Sequence, residues 1–287
     1  MPSQMASDLL SPSDVTSTAT AQRTTDRPTA APPRSMLPHE HGAWGQLAMP
    51  LLTALAIGRP GLAPTALAAG VVLAFIAHEP LLVLLGQRGR RVAEEEGPRA
   101  RRWLLATGGL AAASGLLGIA LAPAAARLAL ALPAALAAVV ALLVWRRLEK
   151  TTLGEIVVAA ALASAGWAVA LAGHAPAEAA LTAALAWIIA FAAATLGVRV
   201  ILARARSKGA RDPGKLHAVL SAALAGVAVA LSAAGLPAAL AWATLPPALL
   251  SIVICLARFS PKRLKPLGWA IVASSAVTLV ILVAGLR

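Results

Sequence analysis

The chain has one cysteine, no tyrosine and three phenylalanines among its 287 residues. Cys255 stands inside an apolar segment, so disulfides, zinc knuckles and paired redox thiols are excluded. The shortage of aromatic rings leaves few walls that could steady a carbocation by cation–π contact. Acidic residues are scarce as well, 12 against 25 basic ones, and no DxxxD occurs anywhere. Magnesium clusters need several oxygen ligands converging on the ion, so they are not expected. HxxxH and ExxH pairs are also missing, and with them the helical spacing that sets two metal ligands on one face. We therefore expect no metal and no cofactor. Period-two alternation is absent, which excludes a transmembrane β-barrel. Residues 1–35 carry Ser, Thr, Pro, Asp and Arg without the apolar core of a signal peptide; this composition predicts a disordered tail. Met36 opens directly onto the first motif and is a second candidate start.

What is abundant is apolar: 59% of residues are hydrophobic and only 13% charged. Nine apolar stretches run at roughly 42–58, 62–86, 103–122, 127–145, 155–172, 177–203, 215–235, 237–256 and 266–285. A bilayer core of about 30 Å takes ~20 apolar helical residues, and only helices or closed barrels satisfy the backbone there. The expectation is an all-α polytopic membrane protein with one nine-helix domain over 36–287. Basic residues fill alternate gaps. Arg88, Arg90, Arg91, Arg99, Arg101 and Arg102 follow the second stretch, and Arg146, Arg147 and Lys150 the fourth. Arg204, Arg206, Lys208, Arg211 and Lys215 follow the sixth, and Arg258, Lys262, Arg263 and Lys265 the eighth. The other gaps hold only Arg59 and Arg127. By the positive-inside rule the N-terminus is cytoplasmic and the C-terminus outside. The net charge of +13 is then explained by topology and anionic lipid, and nucleic acid is not an expected partner. Trp44, Trp103, Trp145 and Trp269 fall near the cytoplasmic ends of their helices, where an aromatic belt belongs.

Ionisable groups at membrane depth are costly, and each invites a functional reading. His39, Glu40 and His41 stand at the entrance of the first helix. His78 and Glu79 precede Pro80 in the second, where the proline frees the carbonyl of Ile76. Adjacent helical residues point about 100° apart, and Glu79 is expected to face inward. Glu155 opens the fifth helix and Arg199 lies in the sixth; Arg199 can pair with Glu79 or with Glu155. His174 and Glu178 are the only acidic or histidine residues in the outer half, so a site would open to the cytosol.

The string Pro38-His39-Glu40-His41-Gly42-Ala43-Trp44 at the head of the first helix resembles the YwiC-like family of bacterial membrane proteins. The resemblance runs from about Met36 to the C-terminus and includes the turn Lys150-Thr151-Thr152-Leu153-Gly154-Glu155. A more distant, architectural resemblance is to UbiA-type intramembrane prenyltransferases, through nine helices with long polar loops after the second and sixth. In that superfamily those loops carry aspartate-rich motifs that hold magnesium and a prenyl diphosphate. Here they carry arginine instead. Residues 75–91 can be laid over 191–207, matching Phe75 with Phe191, Arg88 with Arg204 and Arg90 with Arg206, the pattern of an internal duplication.

Arginine grips phosphate bidentately without a metal. The leading expectation is therefore a membrane-lipid partner: an anionic lipid or polyprenyl phosphate held by Arg88, Arg90, Arg204 and Arg206. His39, Glu40, His41, Glu155 and Arg199 complete the binding groups, and His78 or Glu79 serves as acid or base. The residues leave open whether catalysis follows, and they fix no oligomeric state. A small-molecule transporter using Glu79, His78, Glu155 and Arg199 as a relay is one alternative; a non-catalytic assembly subunit recruiting partners through its charged loops is another.

Overall fold

The structure is a computed structural model that describes residues 35–38, 41–206, 212–257, 259 and 264–287, with His41 and Leu264 described by their backbone alone. The expected disordered tail over 1–35 lies outside these residues except for Ser35. All secondary structure among the described residues is helical: α1 His41–Ile57, α2 Leu62–Leu84, α3 Arg90–Leu121, α4 Ala124–Ala129, α5 Ala131–Trp145, α6 Thr152–Ala172, α7 Ala177–Arg206, α8 Gly214–Ala233, α9 Ala239–Leu256 and α10 Leu264–Leu286. Taken together, α4 and α5 form one span, so these helices correspond one to one with the nine apolar stretches. Eight of the nine are long and apolar enough to cross a membrane, and α1, with its 17 residues, is shorter. The chain is an integral membrane protein.

Two departures from the sequence pattern have local causes. The charged segment expected as a loop after the second helix is instead the first third of α3, and the connection shrinks to 85–89. Arginine and glutamate are good helix formers, and they fall at helical spacing here. Arg90 Nε donates to Glu94 at 3.0 Å and Arg91 Nε to Glu95 at 2.7 Å; exposed i,i+4 pairs of this kind are worth a few tenths of a kcal/mol each. At ~1.5 Å per residue, the 32 residues of α3 extend about 48 Å, well beyond a ~30 Å hydrocarbon core. The second departure is the interruption at Leu130. Pro133 has no N–H for the Ala129 carbonyl and crowds it sterically, so α4 stops at Ala129 while the chain keeps its direction through α5.

Three helices form the middle of the bundle. In α7, 67% of the most apolar window is buried, and α6 and α9 are at least half buried, whereas α3, the α4–α5 span, α8 and α10 bury less than a fifth. The middle helices are rich in small residues, which let backbones approach in the absence of a hydrophobic drive between helices. A β-carbon at Gly166 of α6 would stand 3.0 Å from the Pro50 carbonyl of α1, and one at Gly70 of α2 would stand 3.0 Å from the Gly115 amide of α3. The largest fully buried side chain, Trp187, stacks on Phe191 at 5.2 Å and donates to Thr53 Oγ1 at 2.9 Å.

Hydrogen bonds tie together the helix ends that carry little charge: the Arg59 amide donates to the Gly173 carbonyl at 2.6 Å and Arg287 Nε to the Ala56 carbonyl at 2.8 Å. At the other end, the connections carrying most of the arginines meet one another. This basic end holds the candidate site.

Candidate functional site

Among the described residues, the basic end has two groups of arginines, Arg88, Arg199 and Arg204 in one and Arg90, Arg147 and Arg206 in the other, with Arg199 also lining a cleft of the second group. The first group is enclosed. Arg88, in the turn after α2, reaches back to Glu79 with Nε at 2.9 Å and Nη2 at 2.5 Å. Glu79 is only 1% exposed, whereas the Arg88 side chain is 30% exposed. The reversal is possible because Gly86 adopts a left-handed φ of 69° at the end of α2, the glycine position of a Schellman cap, with the amides of Gly86 and Gln87 returning to Val83 and Leu82. Arg199 of α7 pairs with Glu155 of α6, at 2.9 Å from Nε and 2.7 Å from Nη2, and also donates to the Lys150 carbonyl. Of the two partners open to Arg199 in the sequence, the structure uses Glu155, because the turn after α2 supplies Glu79 with its own arginine. Arg204 forks onto Asp212 at 2.9 and 3.0 Å and donates to the Cys255 carbonyl at 2.6 Å, tying the ends of α7 and α9 to the start of α8.

The second group faces open clefts. One cleft, about 540 Å³, is lined by Gly86, Gln87, Gly89, Arg90, Arg147 and Glu149. The other, about 220 Å³, is lined by Thr152, Arg199, Leu202, Ala203, Arg206, Pro213 and His217. The connection from α5 to α6 contributes to both, with Arg147 and Glu149 in one and Thr152 in the other. It is a close-fitted turn. Thr151 Oγ1 accepts from the Gly154 amide at 3.1 Å as the N-cap of α6, and a β-carbon on Gly154 would overlap the Leu148 carbonyl and stand 2.8 Å from that of Glu149. Glu155, in the first turn of α6, suits the positive end of the helix dipole. The sequence therefore needs threonine, glycine and glutamate at these three positions for cap, contact and ion pair.

The remaining expected site residues are dispersed. His39 and Glu40 lie outside the described residues, and His41 is the first residue of α1 with its side chain undescribed. His78 is half-buried on α2, which runs unbroken through Pro80. Trp44 is more than a belt residue. Its Nε1 donates to the Pro38 carbonyl at 3.1 Å and its ring meets Phe75 edge-on at 5.1 Å, fixing the segment before α1. Trp145 and Trp269 are exposed, as a belt position requires. Arg88 and Arg204 are not equivalent in backbone: Arg88 follows α2, whereas Arg204 lies inside α7. The overlay of 75–91 on 191–207 is thus a likeness of sequence without a matching local conformation. No group of three or more His, Cys, Asp or Glu able to hold a metal occurs among the described residues.

Arg147 and His217 are cleft residues that the sequence reading did not single out. Arg147 ends α5 with φ 57°, the left-handed position of a Schellman cap whose amides return from Arg147 to Val144 and from Leu148 to Leu143. A non-glycine residue there carries a cost of ~1 kcal/mol or more. Its only sequence signal was membership of the basic cluster after the fourth span. His217 Nδ1 donates to the Pro213 carbonyl at 3.0 Å.

Residues 37–170 match the family described as YwiC-like protein, which covers the first helix motif and the Lys150–Glu155 turn. Neither the curated proteins nor the solved structures contain a match to the chain, so the UbiA-like layout gains no support from comparison.

Proposed function

We propose, taking the YwiC-like match over residues 37–170 as the premise, that this membrane protein binds the phosphate headgroup of an anionic lipid or polyprenyl phosphate at its basic end. In this reading that end faces the cytosol, which the distribution of Arg and Lys supports under the positive-inside rule, and the resemblance to a family of bacterial membrane proteins supports a bacterial inner membrane. The observation that carries the reading is the environment of Arg206. It is exposed at the last residue of α7, has no carboxylate partner among the described residues, and lines the 220 Å³ cleft with Arg199 and His217. A guanidinium forks onto phosphate without a metal, at a height where anionic headgroups are abundant.

Arg90 plays the same part in the larger cleft; its exposed bond to Glu94 is weak enough for a phosphate to displace. Arg88, Arg199 and Arg204 act as positioning residues, holding Glu79, Glu155 and Asp212 so that the helix ends framing the clefts stay fixed. His78, beside the enclosed Glu79, adds to the polar surroundings of this end. The test is binding of a long-chain prenyl diphosphate and of phosphatidylglycerol to purified protein, with magnesium and then with EDTA. Binding should survive EDTA and fall about tenfold in Arg206→Gln, the loss of one charged hydrogen-bond pair. Binding that requires magnesium, or that is unchanged in Arg90→Gln/Arg206→Gln, overturns the reading.

A further inference from the structure

Among the described residues the smaller cleft has no carboxylate in its lining, and Arg199 and Arg206 are its cations. The acids around it are engaged: Glu155 by Arg199 and Asp212 by Arg204. Arg206 attracts an anion but does not by itself tell one phosphate from another. His217 can. It stands half-buried in the first turn of α8, and its Nδ1 meets the Pro213 carbonyl at 3.0 Å. A carbonyl only accepts, so Nδ1 carries the hydrogen, and in the neutral ring Nε2 carries the lone pair. Nε2 has no hydrogen-bond partner among the described residues and is not shut away from water. With Nδ1 turned onto its own helix, Nε2 is the polar atom of the ring left for a ligand. One cavity of about 220 Å³ thus offers a guanidinium and a hydrogen-bond acceptor together.

That combination sorts phosphates by their number of ester links. The phosphate of a diester has only acceptor oxygens, so it sets lone pairs against the lone pair of Nε2 while it pairs with Arg206. A phosphomonoester that carries one proton donates this P–O–H to Nε2 and keeps its other oxygens for the guanidinium. When the proton crosses to the ring, Nε2–H donates to the dianion instead. The bond survives with the same total charge, and imidazole and phosphomonoester titrate in the same pH range, which lets them share one proton. We propose that the Arg206 cleft selects a phosphomonoester over a phosphodiester, with His217 Nε2 as the specificity-determining atom. Leu202 and Ala203 give the cleft an apolar side for the carbon chain next to the phosphate. The chemistry is shared by a lipid phosphomonoester and by a soluble one. The inference rests on the anion reading of Arg206 and narrows its ligand.

The test is lipid retention by native mass spectrometry at neutral pH, with the full chain released from nanodiscs of equal parts phosphatidic acid and phosphatidylglycerol with matched acyl chains. Phosphatidic acid, the monoester, should be retained over the diester by about tenfold, the value of one hydrogen bond to a charged group. His217→Phe, which keeps a ring without nitrogens, should bring the ratio close to one. His217→Gln should do the same by holding more phosphatidylglycerol, since an amide always has a donor to offer; a gain of binding is not explained by loss of fold. Arg206→Gln should weaken both lipids and leave their ratio in place. Displacement of phosphatidic acid by millimolar glycerol 3-phosphate would identify the headgroup alone as sufficient, and resistance to it would identify the lipid; either supports selection at His217. A parent ratio near one, or a tenfold preference that persists in both His217 variants, overturns the inference and leaves the anion site standing, because the extra charge of the monoester then accounts for any preference. Retention of neither lipid overturns the anion reading, and this inference with it.

Discussion

The ion pair between Glu79 and Arg88 predicts an asymmetric response to mutation. Glu79 is 1% exposed and Arg88 30% exposed on its side chain. Removing the arginine, as in Arg88→Met, leaves a carboxylate enclosed among α2 and its neighbours with its main counter-charge gone. Such a loss typically costs ~3–5 kcal/mol. Removing the acid, as in Glu79→Gln, leaves a guanidinium that a short rotation returns to water, and the amide still accepts one hydrogen bond; ~1 kcal/mol is expected. Replacing both groups with apolar side chains, Glu79→Leu/Arg88→Met, should restore most of the stability, because a well-packed apolar pair substitutes for a buried ionic one at little net cost. The assay is reversible unfolding in mixed micelles with increasing denaturing detergent, read by tryptophan fluorescence, with the three variants and the parent forming a double-mutant cycle. A coupling energy of at least ~2 kcal/mol is expected. Equal effects of the two single substitutions, or simple additivity in the double, would refute the argument that burial of Glu79 sets the energetics.

Other consequences are open to direct measurement. Gly154→Ala should destabilise by ~1–3 kcal/mol through overpacking against the Leu148 and Glu149 carbonyls, and the same unfolding assay reads it. Trp187→Phe should cost ~1–2 kcal/mol, since Thr53 Oγ1 is left buried without its donor. For topology, Arg146→Cys should react with a membrane-impermeant maleimide only in inverted vesicles and Glu178→Cys only in right-side-out cells, both positions being exposed; the native Cys255 is buried and contributes no background. The opposite labelling pattern would reverse the orientation and remove the cytosolic assignment of both clefts.

The apolar stretches were legible because a lipid environment leaves a chain few choices, and each predicted span has its helix in the fold. The ends were less so. Hydropathy stops at the first charge, so the start of α3 was read as loop although Arg90, Arg91, Glu94 and Glu95 are spaced as helical pairs. The interruption before Pro133 falls in a uniformly apolar run, where hydropathy has nothing to register. The partner of Glu79 lies nine residues ahead, across a turn that depends on the φ of Gly86, and a helical wheel cannot bring them together. Arg147 was hidden for a related reason: one arginine among three neighbouring basic residues carries no mark of the backbone it occupies. The candidate arginines themselves were visible in sequence; which of them are enclosed and which face a cleft is a matter of tertiary structure.

The buried stretch of α7 is dominated by alanine, at 179, 180, 183, 184, 186, 190, 192 and 193. A core of leucine fails by hollowing out, because shortening a side chain leaves a void. A core of alanine has almost nothing to shorten. Its vulnerability is inverted: any larger residue in this helix must push α6 or α9 outward along its whole length, and the helix ends that frame both clefts would move with it. At these alanine positions tolerance to substitution should therefore fall with added volume and be nearly indifferent to removed volume, so that a chain of this composition drifts by exchanging residues on its lipid-facing helices and keeps these positions small.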